Sequence, residues 1–200
     1  GPIQNIVSCF GMRNGFPTYV GHCNYYDIDE IVRKMINKYS MNVGIKNTLF
    51  AGGKGITLSD MILGSLSETI ERVIGSYAYF DSEIDIIYGT YNSLKPKGIN
   101  CIEPEKIHLF HEEQYKEKNF QYKPFTRESW LGWIKGKGLV SGKEIYVPAQ
   151  LIMMFYSLKP KETIIGYATS GGLTCHINIY EGVYHGICEL IERDAVNIRW

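Results

Sequence analysis

The amino-acid sequence predicts a mixed α/β (α+β) domain that is incomplete at its C-terminus. Two long segments carry apolar residues at helical spacing, and several apolar segments of strand length lie between them. Of the 200 residues, 44% are hydrophobic and 21% are charged, which is typical of a globular domain with a sizeable core.

The first half of the chain predicts a strand, two helices and a turn. Residues 3–10 alternate loosely, as a strand does, and Asp27 is expected to cap a helix that extends to about Tyr39. Residues 48–51 form a short apolar segment that ends in a glycine-rich turn at 52–55. Thr57 and Asp60 have the spacing of a capping box, with Asp in place of Glu, and the following periodicity predicts a helix to about Tyr77.

The second half predicts short strands and a final helix. Residues 84–91 resemble a strand, whereas 93–125 show little periodicity, which indicates a surface insertion or a lid. Residues 133–140 and 144–147 predict a hairpin, and 151–156 and 164–169 predict further strands. The last helix begins near Asn178 and has no terminating signal at Trp200, so we expect a portion of a longer protein.

Charge and composition exclude several classes of protein. Lys plus Arg and Asp plus Glu both number 21, a balance that argues against a nucleic-acid partner. No apolar segment approaches the roughly 20 residues that span a bilayer, so no membrane partner is expected. The five cysteines form no CxxC pair and predict reduced thiols in a cytoplasmic protein.

Two segments of the chain repeat one pattern, a glycine-rich turn followed by a helix that contains ExxER. The first has Gly-Gly-Lys-Gly at 52–55 and then Glu68, Glu71 and Arg72; the second has Ser-Gly-Gly-Leu-Thr at 170–174 and then Glu189, Glu192 and Arg193. Glutamates three residues apart lie about 60° apart around a helix, on one face.

Two interpretations of these acidic faces compete. In the first, both faces are solvated and each arginine pairs with the glutamate four residues before it. In the second, a ligand or another backbone comes close to the helix. Each glycine inside a helix costs roughly 1 kcal/mol relative to alanine, so glycines beside the acidic pairs indicate that space is needed there. The glycines concerned are Gly64, Gly75, Gly182 and Gly186. The apolar residues expected to form the opposite, core-facing stripes are Leu58, Ile62, Leu66, Ile70, Val73 and Tyr77 in the first helix, and Tyr180, Ile187, Ile191 and Ile198 in the last.

The residue types favour Mg²⁺ and phosphate over zinc. Glutamates three residues apart repel each other, and a divalent cation would remove that penalty. Carboxylates beside arginines suit Mg²⁺ and nucleotide phosphates. By contrast, His176, His185 and Cys188 do not have a recognised zinc-ligand spacing. Lys54 in the first glycine segment is a candidate phosphate contact, although a purely structural turn is an equal alternative; Cys175 and Cys188 are expected to be core thiols.

At these two segments the sequence resembles the YcaO family of ATP-dependent backbone-modifying enzymes. The resemblance rests on Gly53-Lys54-Gly55-Ile56-Thr57 with the helix through Arg72, and on residues 169–174 with Glu181 and the segment from Glu189 to Ala195. It implies that residues 1–200 are a partial YcaO-like ATP-binding catalytic domain in which the two ExxER helices face a shared nucleotide site. Gly171 and Gly64 depart from the family pattern, which usually has Asn and often Ser there.

The resemblance also implies the ligands of the site. Mg²⁺ would be held by Glu68, Glu71, Glu189 and Glu192. Nucleotide or phosphate would contact Glu181, Arg193, Thr174, Lys54 and Arg72. No residue is assigned as catalytic, because in this family positioning and electrostatics supply most of the catalysis.

The activity implied is ATP-dependent cyclodehydration of Cys, Ser or Thr in a ribosomally synthesised precursor peptide. A phosphorylated hemiorthoamide would collapse to a thiazoline or an oxazoline. Thioamide formation with a sulfide source and a non-catalytic accessory role are the alternatives. The expected partners are the precursor peptide and a leader-peptide-binding protein, and a homodimer is compatible with this interpretation.

Overall fold

The computed structural model describes residues 3–13, 15–25, 51–78, 84–154 and 156–199. The expected helix from Asp27 to about Tyr39 lies outside the described residues. The chain divides into two compact units. The first combines the described residues up to Tyr77 with those from Ser170 onward, and the second runs from Ala78 to Thr169. The mixed α/β class predicted from the sequence is confirmed.

The first unit contains an antiparallel sheet in the order β1-β2-β3. Strand β1 (Ile3–Arg13) pairs with β2 (Phe16–Tyr25), and β2 pairs with β3 (Gly52–Gly55). The sequence predicted the first strand but not the second. The prediction of a turn at 52–55 was wrong, because these residues lie in register opposite Tyr19 to His22.

Helix α1 (Leu58–Tyr77) begins directly after Thr57, which caps it as the sequence pattern predicted. The Asp60 backbone N–H donates to Thr57 Oγ1 (3.1 Å), and the Thr57 hydroxyl donates to Asp60 Oδ2 (2.6 Å). The buried row differs from the predicted apolar stripe, since Leu58 and Ile70 are 47% and 44% exposed. The buried residues of the helix are instead Met61, Ser65, Thr69 and Ser76. Strand β3 consists largely of glycine, so the helix approaches it closely and mostly small side chains fit between them.

The last helix of the described chain is Ile179–Arg199. Asn178 caps it, because its Oδ1 accepts the backbone N–H of Tyr180 (2.9 Å). Its buried residues are Gly182 and Gly186. The predicted core stripe was wrong: Tyr180 is 83% exposed and Ile198 is 77% exposed, and Ile187 and Ile191 are exposed as well. This helix therefore packs within its unit through its glycine face.

The second unit contains an antiparallel sheet in the order β4-β5-β6. Its strands are β4 (Ile86–Gly89), β5 (Leu131–Lys137) and β6 (Glu144–Pro148), and the short helix α2 (Tyr91–Leu94) follows β4. We number the last helix, Ile179–Arg199, α3. The predicted hairpin is confirmed as β5 and β6. The residues buried together in the core of this unit are Tyr91, Leu94, Cys101, Leu131, Trp133 and Ile165.

Two predicted strands are absent from the described part of this unit. The described residues of 151–156 and 164–169 adopt turns and irregular backbone. The side chain of Gln150 takes the place of a neighbouring strand: Ile165 N–H donates to its Oε1 (3.0 Å), and its Nε2 donates to the Thr163 carbonyl (3.0 Å). Within 93–125 the backbone forms three short 3-10 turns, at Lys95–Lys97, Pro104–Lys106 and Gln114–Lys116.

Glu162 is expected to stabilise this unit, because it is buried and fully partnered. Its carboxylate accepts Gly132 N–H (3.0 Å), Lys159 N–H (2.8 Å) and the Tyr156 hydroxyl (2.9 Å). Glu162→Gln turns an amide group toward one of these donors, so we expect a loss of about 1–2 kcal/mol in the free energy of unfolding. Urea unfolding followed by tryptophan fluorescence measures it. The exposed Glu112→Gln is the control, and equal midpoints for the two variants would contradict the prediction.

Candidate functional site

The repeated sequence pattern is also a repeated structure, in which the first glutamate of each ExxER accepts a backbone N–H from its own glycine segment. Gly52 N–H donates to Glu68 Oε2 (2.8 Å), and Gly172 N–H donates to Glu189 Oε2 (3.1 Å). Each glycine segment is thereby tied to the helix that follows it. The match between the two segments is thus one of hydrogen bonding as well as of residue type.

The arginine of each motif completes the same arrangement. Arg72 Nη2 donates to Glu68 Oε1 (2.9 Å), and Arg193 Nη2 donates to Glu189 Oε1 (3.3 Å). These are the i,i+4 pairs expected by the first interpretation of the acidic faces. Glu68 and Glu189 therefore each have both carboxylate oxygens partnered.

Two of the helix glycines, Gly64 and Gly186, face backbone. A Cβ added at Gly64 would lie 3.3 Å from Gly53 Cα, and one added at Gly186 would lie 2.9 Å from the Gly172 carbonyl oxygen. The sequence left open whether a ligand or another backbone comes close at these glycines. At these two positions the answer is the backbone of the preceding glycine segment.

The two motifs differ in exposure. The side chains of Glu71 and Arg72 are 16% and 17% exposed, whereas that of Arg193 is 64% exposed and Glu192 is also exposed. A fully solvated acidic face is therefore wrong for the first motif and correct for the outer part of the second.

The carboxylate of Glu71 lies mostly out of water, beside charges of both signs. Burial raises its pKa to about 7; Arg72 opposes this shift, and the carboxylates of Glu189 and Glu68 add to it. Arg72 Nε, 3.7 Å from Glu71 Oε1, is buried and makes no hydrogen bond. A divalent cation near Glu71 would relieve both the desolvation and the repulsion, so this donor set fits Mg²⁺.

Among the residues that the structure describes, the carboxylates of the two motifs do not converge on one point as a set of three ligands. In the described ranges, the one group of three His, Cys, Asp or Glu side chains with ligand atoms within 4.8 Å of one another is His176, Glu181 and His185. The open arrangement of the ExxER carboxylates still suits Mg²⁺, because Mg²⁺ keeps several waters and is usually held by one or two carboxylates together with phosphates.

Most of the predicted site residues line one open cleft of the first unit, with a volume of about 840 Å³. Those that line it are Lys54, Glu68, Glu71, Arg72, Thr174 and Glu189. Glu181, Glu192 and Arg193 are not part of its lining. The cleft also includes Asp60, His176 and His185, which the sequence did not assign to the site.

The histidines were missed because spacing alone did not show that they meet. His185 lies one turn after Glu181 in α3, and the loop before the helix brings His176 to the same place. The i,i+4 relation of Glu181 and His185 was the available signal. The expectation that Cys188 is a core thiol was wrong, since it is exposed, and Cys175 is half-buried.

Comparison with known proteins identifies a family for this chain. A sequence model of the YcaO family, described as a cyclodehydratase that binds ATP and Mg²⁺, matches residues 52–200. No curated protein matches the chain in sequence.

Several solved structures share the fold. A heterocyclase in complex with substrate and cofactor has a TM-score of 0.69 and 22% identity over 100% of this chain and 26% of its own. YcaO from Methanopyrus kandleri bound with AMPPCP and Mg²⁺ has a TM-score of 0.53 and 16% identity over 98% of this chain and 39% of its own. The heterocyclase TruD has a TM-score of 0.55 and 24% identity over 73% of this chain and 21% of its own. The chain thus spans well under half the length of these structures.

Within the described ranges, no helix combines the length and the apolar character that crossing a bilayer needs.

Proposed function

We propose that this chain, which belongs to the YcaO family, is part of an enzyme that uses ATP and Mg²⁺ to modify backbone amides of a peptide. The reaction proposed is cyclodehydration of Cys, Ser or Thr in a ribosomally synthesised precursor peptide. The observation that carries the proposal is the largely buried Glu71 carboxylate in a cleft that Glu68 and Glu189 also line, where a bound cation would offset the desolvation that raises its pKa.

The family resemblance and the lining of the cleft support the following residue roles. Glu71, supported by Glu68 and Glu189, would hold Mg²⁺ from the cleft wall. Lys54, Arg72 and Thr174 line the same cleft and would contact phosphate oxygens. Glu192, Glu181 and Arg193 remain proposed ligands from the exposed side of α3. Of these, Arg193 already pairs with Glu189 and would act mainly by orienting that carboxylate.

The proposed chemistry makes the amide oxygen a leaving group. A substrate thiol or hydroxyl adds to the amide carbon, and ATP supplies the phosphoryl group that the resulting oxygen accepts. Loss of phosphate and of the amide proton then forms the C=N bond of the azoline. The net change is loss of one water from the peptide and conversion of ATP to ADP and phosphate. The chain's contribution is to neutralise and align the phosphates.

Mg²⁺-dependent ATP binding tests the site directly. We expect calorimetry on the chain to detect ATP binding with Mg²⁺, and Glu71→Gln to weaken it at least tenfold, since a carboxylate ligand is replaced by a neutral amide. Glu112→Gln, exposed in the other unit, should bind as the wild type does. Equal affinity of Glu71→Gln and the wild type, or a folded wild-type chain that binds no nucleotide, would contradict the proposal.

Mass spectrometry then separates the proposed reaction from its alternatives. A Cys-containing peptide incubated with ATP and the longest form of the protein should lose the mass of one water per modified residue. Exchange of oxygen for sulfur when sulfide is added would identify thioamide formation instead. Nucleotide binding without any change in peptide mass would favour an accessory role.

A further inference from the structure

His176, Glu181 and His185 form a cluster of ligand-bearing side chains at the start of α3, and the two histidines line the same cleft as three of the ExxER glutamates. Their donor atoms all lie within 4.8 Å of one another, and all three side chains are exposed. The two imidazole rings are nearly parallel, with centroids 5.7 Å apart and an angle of 19° between their planes.

Local structure holds these three side chains together. Glu181 and His185 are four residues apart on α3 and so project from the same face of the helix. His176 lies close to Gly182: a Cβ at Gly182 would lie 3.5 Å from His176 Cβ, an ordinary van der Waals distance, and 3.2 Å from Thr174 Oγ1. The loop therefore lies directly against the first turn of the helix.

The chemistry of the cluster differs from that of the acidic set. Two imidazoles and a carboxylate are ligands typical of Zn²⁺, whereas Mg²⁺ takes oxygen ligands almost exclusively. Two ligand atoms on a tetrahedral Zn²⁺ ion lie about 3.3 Å apart, so the side chains need only small rotations to close around an ion. Three protein ligands leave a fourth position open.

We infer that His176, Glu181 and His185 form a binding site for Zn²⁺ that is distinct from the proposed Mg²⁺ ligands. The inference requires no nucleotide and stands independently of the proposed function. Because Glu181 is also a proposed nucleotide contact, Zn²⁺ at this site would compete with nucleotide for that carboxylate.

Binding should alter one defined hydrogen bond. The Asn178 backbone N–H donates to His176 Nδ1 (3.1 Å) in the metal-free chain. Zn²⁺ needs an imidazole lone pair, so this ring either gives up the hydrogen bond at Nδ1 or moves its proton to Nδ1 and coordinates through Nε2. Both changes remove the acceptor of the Asn178 N–H.

Zn²⁺ titration of the metal-free chain without nucleotide tests the inference. We expect equimolar binding by calorimetry, retained in excess Mg²⁺, and a large shift of the Asn178 amide resonance. His176→Ala, His185→Ala and Glu181→Gln should each weaken binding at least tenfold, the lower bound known for loss of even a supporting contact. Because all three side chains are exposed, these variants should keep the wild-type circular dichroism.

His111→Ala and Cys175→Ser are the matched controls. His111 is an exposed histidine of the other unit and tests adventitious imidazole binding, whereas Cys175 is the thiol adjacent to His176. Both controls should bind Zn²⁺ as the wild type does. No binding by the wild type, wild-type affinity in either histidine variant, or loss of binding in Cys175→Ser would overturn the inference.

Discussion

Replacing Gly53 with alanine is expected to destabilise the first unit by about 3 kcal/mol or more. A Cβ at Gly53 would overlap the Met61 carbonyl oxygen and the Ser65 backbone nitrogen, and would lie 2.6 Å from Ser65 Oγ. Two of these atoms belong to the backbone of α1 and cannot rotate away. The helix must therefore move off β3, which uncovers Met61 and Ser65, both fully buried.

Urea unfolding followed by circular dichroism measures this loss, and Gly11→Ala is the matched control. Gly11 lies in β1 of the same sheet, and a Cβ there has no atom within 4 Å, so its unfolding midpoint should stay close to that of the wild type. Gly186→Ala, whose Cβ would lie 2.9 Å from the Gly172 carbonyl oxygen, should disturb the second motif in the same way. Equal midpoints for Gly53→Ala and Gly11→Ala would refute the close packing of α1 on β3.

Replacing Glu71 with glutamine is expected to stabilise the metal-free chain at high pH. The pKa of Glu71 rises from 4.5 to about 7 on folding, so the folded chain prefers the protonated carboxyl. The resulting penalty is absent below about pH 4.5, grows between the two values and is complete above about pH 7. Glutamine cannot ionise, so the variant should gain about 1–3 kcal/mol over the wild type at pH 8 and almost nothing at pH 4.5.

Mg²⁺ provides the internal check on this prediction. If the carboxylate serves as a ligand, Mg²⁺ should stabilise the wild type at pH 8 and leave Glu71→Gln unchanged. Thermal unfolding at several pH values, with and without Mg²⁺, measures both effects, and Glu112→Gln controls for a general change of charge. A wild type more stable than Glu71→Gln at pH 8 without metal would show that ionisation of this carboxylate does not destabilise the folded chain.

Local patterns predicted the long helices and the hairpin because their signals are contained in adjacent residues. The capping of α1 by Thr57 and the start of α3 at Asn178 are examples. The predicted strand at 164–169 failed for a non-local reason: Ile165 N–H bonds to the side chain of Gln150 instead of to a neighbouring strand. Periodicity cannot show that kind of pairing.

The sequence by itself determined the repeated ExxER motif, the family resemblance and the set of residues proposed for the site. These depend on residue types at fixed spacing, because a helix places residues three or four apart on the same face. Only the tertiary structure decided which side of each helix is buried. The glycines of β3 let α1 approach so closely that Ser65 and Thr69, not Leu58 and Ile70, became the buried row.

The tertiary structure also decided how the acidic residues differ from one another. Glu68 and Glu189 accept glycine N–H groups, whereas Glu71 is largely buried beside Arg72 and these two carboxylates, and desolvation raises its pKa. His176 likewise meets Glu181 and His185 because the loop before α3 packs against the first turn of the helix at Gly182. Burial, desolvation and close approach arise between segments distant in sequence or on different elements, so spacing along the chain cannot supply them.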